Sequence, residues 1–114
     1  MSESMLENVI SGSYRDTVEV DSPLGPFKRP APRVKCTDGA SLSVQASRTC
    51  YCEPRNNWGP YVTVEVGYPS VDPPESWRDY IDGDWDTDDR TGTVYGYVPV
   101  GMVREFVELH GGEA

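Results

Sequence analysis

The sequence predicts a small α+β domain: a mainly antiparallel sheet of three to five strands, a C-terminal helix, and one short helix within an acidic stretch. Three observations carry this. Residues 33–47 and 61–68 alternate apolar and polar side chains, the two-residue period of half-buried strands. Val100, Val103, Phe106, Val107 and His110 recur at three- and four-residue steps, as on one face of a helix. The strand patterns come in runs with helical patterns at the ends, rather than alternating as parallel-sheet units do. A chain of 114 residues has the length of one domain and buries one modest core. Its expected parts are an irregular N-terminal segment (1–32), an α+β core (33–112) and an acidic insertion in that core (72–91).

Within residues 1–12 a short helix is expected, with Met5, Leu6, Val9 and Ile10 on one side and Gly12 ending it. Thr17 to Asp21 alternates Val18 and Val20 against polar neighbours and reads as a short strand. The prolines of SPLGPFKRPAP exclude a helix interior or a central strand, so 22–32 reads as an irregular connection. In 33–47 a three-residue loop at 37–39 pairs Cys36 with Ala40 and Val34 with Leu42, which gathers the apolar residues on one face. Gly39 then takes the left-handed position that closes such loops. Residues 50–60 are a loop by composition. In Tyr61–Tyr68, Val62, Val64, Val66 and Tyr68 should face one way and Tyr61, Thr63 and Glu65 the other. In Thr93–Val98, Val94, Gly96 and Val98 should face opposite to Tyr95 and Tyr97. Pro74 to Ile81 reads as a helix that begins at two prolines and carries Trp77, Tyr80 and Ile81 on one side. The C-terminal helix enters at Pro99 and leaves at Gly111-Gly112.

Ten basic and 19 acidic residues leave a net charge of −9. Such a chain is repelled by nucleic acid and by anionic membranes, so direct binding to either is not expected. Its natural partners are basic. No apolar run approaches the length of a membrane span, and the acidic N-terminus lacks the pattern of a signal peptide, so a cytoplasmic protein is expected.

Catalytic and metal chemistry find little support. Cys50 and Cys52 are one residue apart, where structural zinc takes two to four, and Cys36 and His110 supply no second close pair. Cys50 or Cys52 with His110 is the only nucleophile–base pair available, and neither cysteine stands in a recognisable nucleophile motif. Asp82, Asp84, Asp86 and Asp88 alternate, yet neither register places Gly and Glu where a calcium loop needs them. Phosphate-loop and dinucleotide fingerprints are absent. No enzyme, metal or cofactor is expected.

The charge itself remains. Asp72 to Asp89 holds eight of the acidic residues, with Trp77, Tyr80 and Trp85 among them. Carboxylates spaced along an ordered element can stand where phosphates stand, and duplex DNA carries one charge per about 1.7 Å of axis. The candidate contact residues are Asp72, Glu75, Asp79, Asp82, Asp84, Asp86, Asp88 and Asp89, with Trp77 and Trp85 as aromatic anchors of the kind interfaces favour. The same composition would also serve a solvated loop that only keeps the protein in solution, and both readings stay open here.

SVQAS (43–47), YCEPR (51–55), GPY (59–61), VEVGYP (64–69) and VYGYVP (94–99) together resemble a family of small phage and prophage proteins. The likeness covers 33–69 and 93–112 and carries no catalytic motif. In size and charge the chain is also similar to anti-CRISPR inhibitors. That resemblance implies a non-enzymatic inhibitor that binds the basic DNA-binding surface of a host defence complex, of type I, and keeps DNA from it. The alternatives are a small metal- or ligand-binding module using the Tyr51–Tyr61 loop, or a phage accessory protein.

Overall fold

A computed structural model describes residues 4–14, 17, 18 and 27–114. Helix α1 (Met5–Ser11) starts where the Ser4 hydroxyl accepts the Glu7 N–H at 3.1 Å and ends at Gly12, whose φ of 81° lets its N–H turn back to the Val9 carbonyl. Leu6, Val9 and Ile10 are buried, so the short helix expected within residues 1–12 forms, ends at Gly12 and joins the core, in a segment otherwise expected to be irregular.

Strands β1 (Thr17–Val18) and β2 (Phe27–Lys28) form a separate antiparallel ribbon. Phe27 and Lys28 thus leave the irregular connection expected there. Two residues of ribbon satisfy the proline limits of that stretch, since neither lies in a central strand. The strand expected at 17–21 is seen at 17 and 18; residues 19–21 lie outside the described residues.

The main sheet is antiparallel, in the order β3 (Val34–Lys35), β4 (Ser41–Gln45), β5 (Thr63–Gly67), β6 (Val94–Pro99). The first hairpin has the expected register. Val34 opposes Leu42, the Cys36 N–H meets the Ala40 carbonyl at 2.8 Å, and Gly39 sits at φ 98°. The Asp38 carboxylate accepts the Ala40 N–H at 2.8 Å, closing the loop. Leu42, Val44, Val64, Val66, Tyr95 and Val98 line one face and are buried. Helix α1 packs there against β4, and helix α2 (Val100–Leu109) and a 3₁₀ helix (Glu75–Tyr80) pack against β6. The helix expected at 74–81 therefore winds more tightly, as short helical pieces in loops often do.

Two expected strand faces are corrected. Tyr95 and Val98 point to the same buried face, although they are three residues apart. The pairing explains it: Val64 opposes Val98 while Val66 opposes Tyr95, so two steps of β5 match three of β6. The extra residue is a β-bulge at Gly96–Tyr97, with Tyr97 at φ 55°. At the start of β5, Val62 is 64% exposed and Tyr61 is buried, the reverse of the alternation. Both precede the regular ladder. The Tyr61 N–H bonds to the Ile10 carbonyl at 2.7 Å and its hydroxyl to the Asn56 carbonyl at 2.8 Å, which draws the ring under the 50–60 loop. Tyr68, at φ 50°, swings out to solvent beyond the other end.

Helix α2 follows β6 without a loop and buries Val103, Phe106 and Val107. Past its end the chain runs beside β3: Cys36 bridges Glu113, the Thr37 N–H reaches the Gly112 carbonyl, and the Ala114 N–H reaches the Lys35 carbonyl. At the opposite edge Ile81 bridges Tyr95, and the Asp82 N–H donates to the Val94 carbonyl at 2.8 Å. Among the described residues no helix is long and apolar enough to cross a membrane.

Candidate functional site

The acidic stretch lies along the outer edge of β6, and its tryptophans hold it there. Trp77, in the 3₁₀ helix, is 1% exposed. Its ring meets Tyr95 nearly edge-on at 5.5 Å and Phe106 of α2 at 5.6 Å. Trp85 is also buried, and the Arg90 guanidinium lies 4.1 Å from its ring centroid while donating to its carbonyl at 2.9 Å. The Tyr95 hydroxyl donates to the Arg90 carbonyl at 2.7 Å, and the Thr93 hydroxyl to the Asp82 carbonyl at 2.9 Å. This overturns the role expected for Trp77 and Trp85. They are core residues, and large flat side chains amid carboxylates are hidden because burying them is what orders so charged a run.

The carboxylates have a different fate: all eight are exposed. Three brace the turn. Asp84 accepts the Asp86 N–H at 2.9 Å, Asp88 accepts the Asp84 N–H at 2.8 Å, and Asp89 accepts the N–H and hydroxyl of Thr91. The hydroxyl and N–H of Thr91 hold the Asp89 carboxyl below its usual range, which favours its charged form. Three others face arginines: Asp86 lies 2.7 Å and Glu75 3.9 Å from Arg78, and Asp72 lies 3.9 Å from Arg90. Exposed pairs of this kind stabilise little, by about 0–1 kcal/mol each. Their consequence is local order, and they leave eight acids against two bases along the segment.

Asp79 and Asp82 border a groove of ≈ 280 Å³ that Tyr51, Tyr80, Ile81, Gly96 and Tyr97 complete. The bulge turns Tyr97 outward, 41% exposed, and its N–H bonds to the Tyr51 carbonyl at 2.9 Å. The two rings lie 5.9 Å apart, and Arg55 rests over Tyr51 at 5.8 Å. Reading the sequence missed Tyr51 and Tyr97 as surface aromatics beside the acids. The available signal was Tyr95-Gly96-Tyr97, a glycine between aromatics in a strand, which marks a bulge or a close approach of backbone.

Cys50 is half-buried and borders a second groove of ≈ 280 Å³ with Gln45, Ser47, Thr49 and Glu65, whereas the other two cysteines are buried. Cys52 is buried, its thiol donates to the Ser47 carbonyl at 3.1 Å, and burial pushes its pKa up. Burial does the same to Cys36. Both shifts disfavour the thiolate that a nucleophile or zinc ligand needs. His110 packs on Phe106 at 4.7 Å, and its Nδ1 lies 2.7 Å from an Asp38 carboxylate oxygen. Among the described residues no three of His, Cys, Asp and Glu converge as metal ligands would.

No protein-family model, curated protein or solved structure matches the chain.

Proposed function

We propose that the protein is a non-enzymatic acidic inhibitor that occupies a basic, nucleic-acid-binding surface of another protein complex and excludes DNA from it. The observation that carries this is the contrast within one segment. Eight carboxylates stay in solvent while Trp77 and Trp85 anchor the backbone beneath them in the core. A charged run that only kept a chain in solution would have no need of two buried indoles. An ordered anionic edge meets a cationic groove with little ordering cost on its own side, and charge accelerates the encounter. In the setting implied by the likeness to anti-CRISPR inhibitors in size and charge, the groove belongs to a host defence complex of type I, met in the cytoplasm.

The test is a competition between the purified protein and duplex DNA for such a complex. Displacement of DNA is expected, weakening steeply as salt is raised. The triple substitution Glu75→Lys, Asp79→Lys, Asp82→Lys leaves the turn-bracing Asp84, Asp88 and Asp89 intact and should abolish displacement. Undiminished displacement by that variant would refute the reading.

A further inference from the structure

The groove between the two tyrosines and the acidic turn has features that net charge does not account for. Its ≈ 280 Å³ suits one long side chain rather than a folded element. Two of its bordering residues, Asp79 and Asp82, are carboxylates, and three, Tyr51, Tyr80 and Tyr97, are aromatic. Gly96 keeps it open, since a Cβ there would come within 3.2 Å of the Tyr51 Cβ and press on that ring. The chain already stacks guanidinium on aromatic rings twice nearby, Arg90 on Trp85 and Arg55 on Tyr51.

We propose that this groove seats an arginine side chain of the basic partner, its guanidinium against Tyr51 and Tyr97 and its N–H groups toward Asp79 and Asp82. The inference rests on the acidic-inhibitor reading and adds the chemistry of one contact. Charge complementarity alone would accept lysine as readily. A guanidinium differs in being flat, weakly hydrated and able to donate two parallel hydrogen bonds to a carboxylate, which suits a site with ring faces and carboxylates together. The groove also supplies the aromatic contact that buried Trp77 and Trp85 cannot make.

The probes are an oligo-arginine and an oligo-lysine peptide of equal length, titrated against the full chain at matched salt. The wild-type protein should bind the arginine peptide about 2–5-fold more tightly, the range of an exposed cation–π contact. Tyr51→Leu with Tyr97→Asn, the asparagine chosen for the positive φ at 97, should erase that preference and leave oligo-lysine binding unchanged. A second pair of variants guards against a folding defect. Asp79→Asn with Asp82→Asn should weaken oligo-arginine binding more than Asp72→Asn with Glu75→Gln, which removes the same charge elsewhere on the edge. Equal losses in those two pairs, a preference that survives loss of the tyrosines, or no preference in the wild type would each overturn the groove. Salt-sensitive binding of both peptides would in those cases leave the acidic-inhibitor reading standing, whereas binding of neither peptide would remove both.

Discussion

Tyr95 joins the acidic edge to the core through a single side chain. Its ring is fully buried under Trp77, and its hydroxyl donates to the Arg90 carbonyl behind the acidic turn. Burial pushes its phenol from an ordinary 10.0 up to about 12, the charge of Asp72 adds to the rise, and Arg90 opposes it. A pKa raised in the folded state means that the folded chain holds the proton more tightly. The associated stability is therefore whole below pH 10 and lost as pH climbs toward 12. Phenolate absorbance should show one of the seven tyrosines ionising late, together with unfolding. Tyr95→Phe should delete that last step; a late step that persists in the Tyr95→Phe variant would contradict it. None of this is legible in the sequence, where Tyr95 and Tyr97 have the same neighbour, Gly96, and differ only in where the bulge falls.

At the level of elements, what could be read in advance depended on whether neighbouring residues settle the geometry. The β3–β4 hairpin was legible because only a three-residue loop brings Val34, Cys36, Leu42 and Val44 to one face. The α2 stripe was legible for a similar reason, since its period has no competing interpretation. The bulge in β6 was not, because one inserted residue inverts the parity of all that follows and leaves a sequence that still alternates. Trp77 and Trp85 were misplaced because composition says that an aromatic residue stands among charges without saying on which side of the backbone it lies. Close approach between elements was hidden too. Gly12 ends α1 at φ 81°, and a Cβ on it would overlap the Trp58 carbonyl oxygen. Gly39 has a φ of 98° but faces open space. Gly39→Ala should thus lose only the backbone cost of a left-handed residue, about 1–2 kcal/mol. Gly12→Ala should lose more, because the 50–60 loop must also move. Denaturant unfolding of the two variants decides the matter, and equal losses would show that the α1–loop contact is unimportant.

Across the whole molecule, Glu113 joins regions far apart in sequence. Its carboxylate accepts the Ser4 hydroxyl and the Met5 N–H, both at 2.7 Å, and the Leu6 N–H at 3.3 Å. A residue beyond α2 therefore caps the first turn of α1, where anionic groups are favoured. Arg104 reinforces this by pairing with Glu7 at 2.8 Å, and its hydrogen bond holds the Glu7 carboxyl below the usual range. Glu113→Ala should cost about 1–2 kcal/mol, as loss of a helix cap does, and should speed hydrogen exchange at Met5 and Leu6 more than at β4. Uniform exchange across both regions would mean that the carboxylate does not act as a cap.

The lateral bridges of the sheet limit how the protein can be recognised. Glu113 and its neighbours run beside β3, while Ile81, Asp82 and the Tyr51 carbonyl attend β6. An incoming peptide that sought to zip its backbone onto either flank would first have to peel away a segment of this chain. Stacking of copies through the main sheet meets the same obstacle. Along these two flanks contact is thus left to what projects beyond the backbone, and on the β6 flank that means carboxylates and phenols.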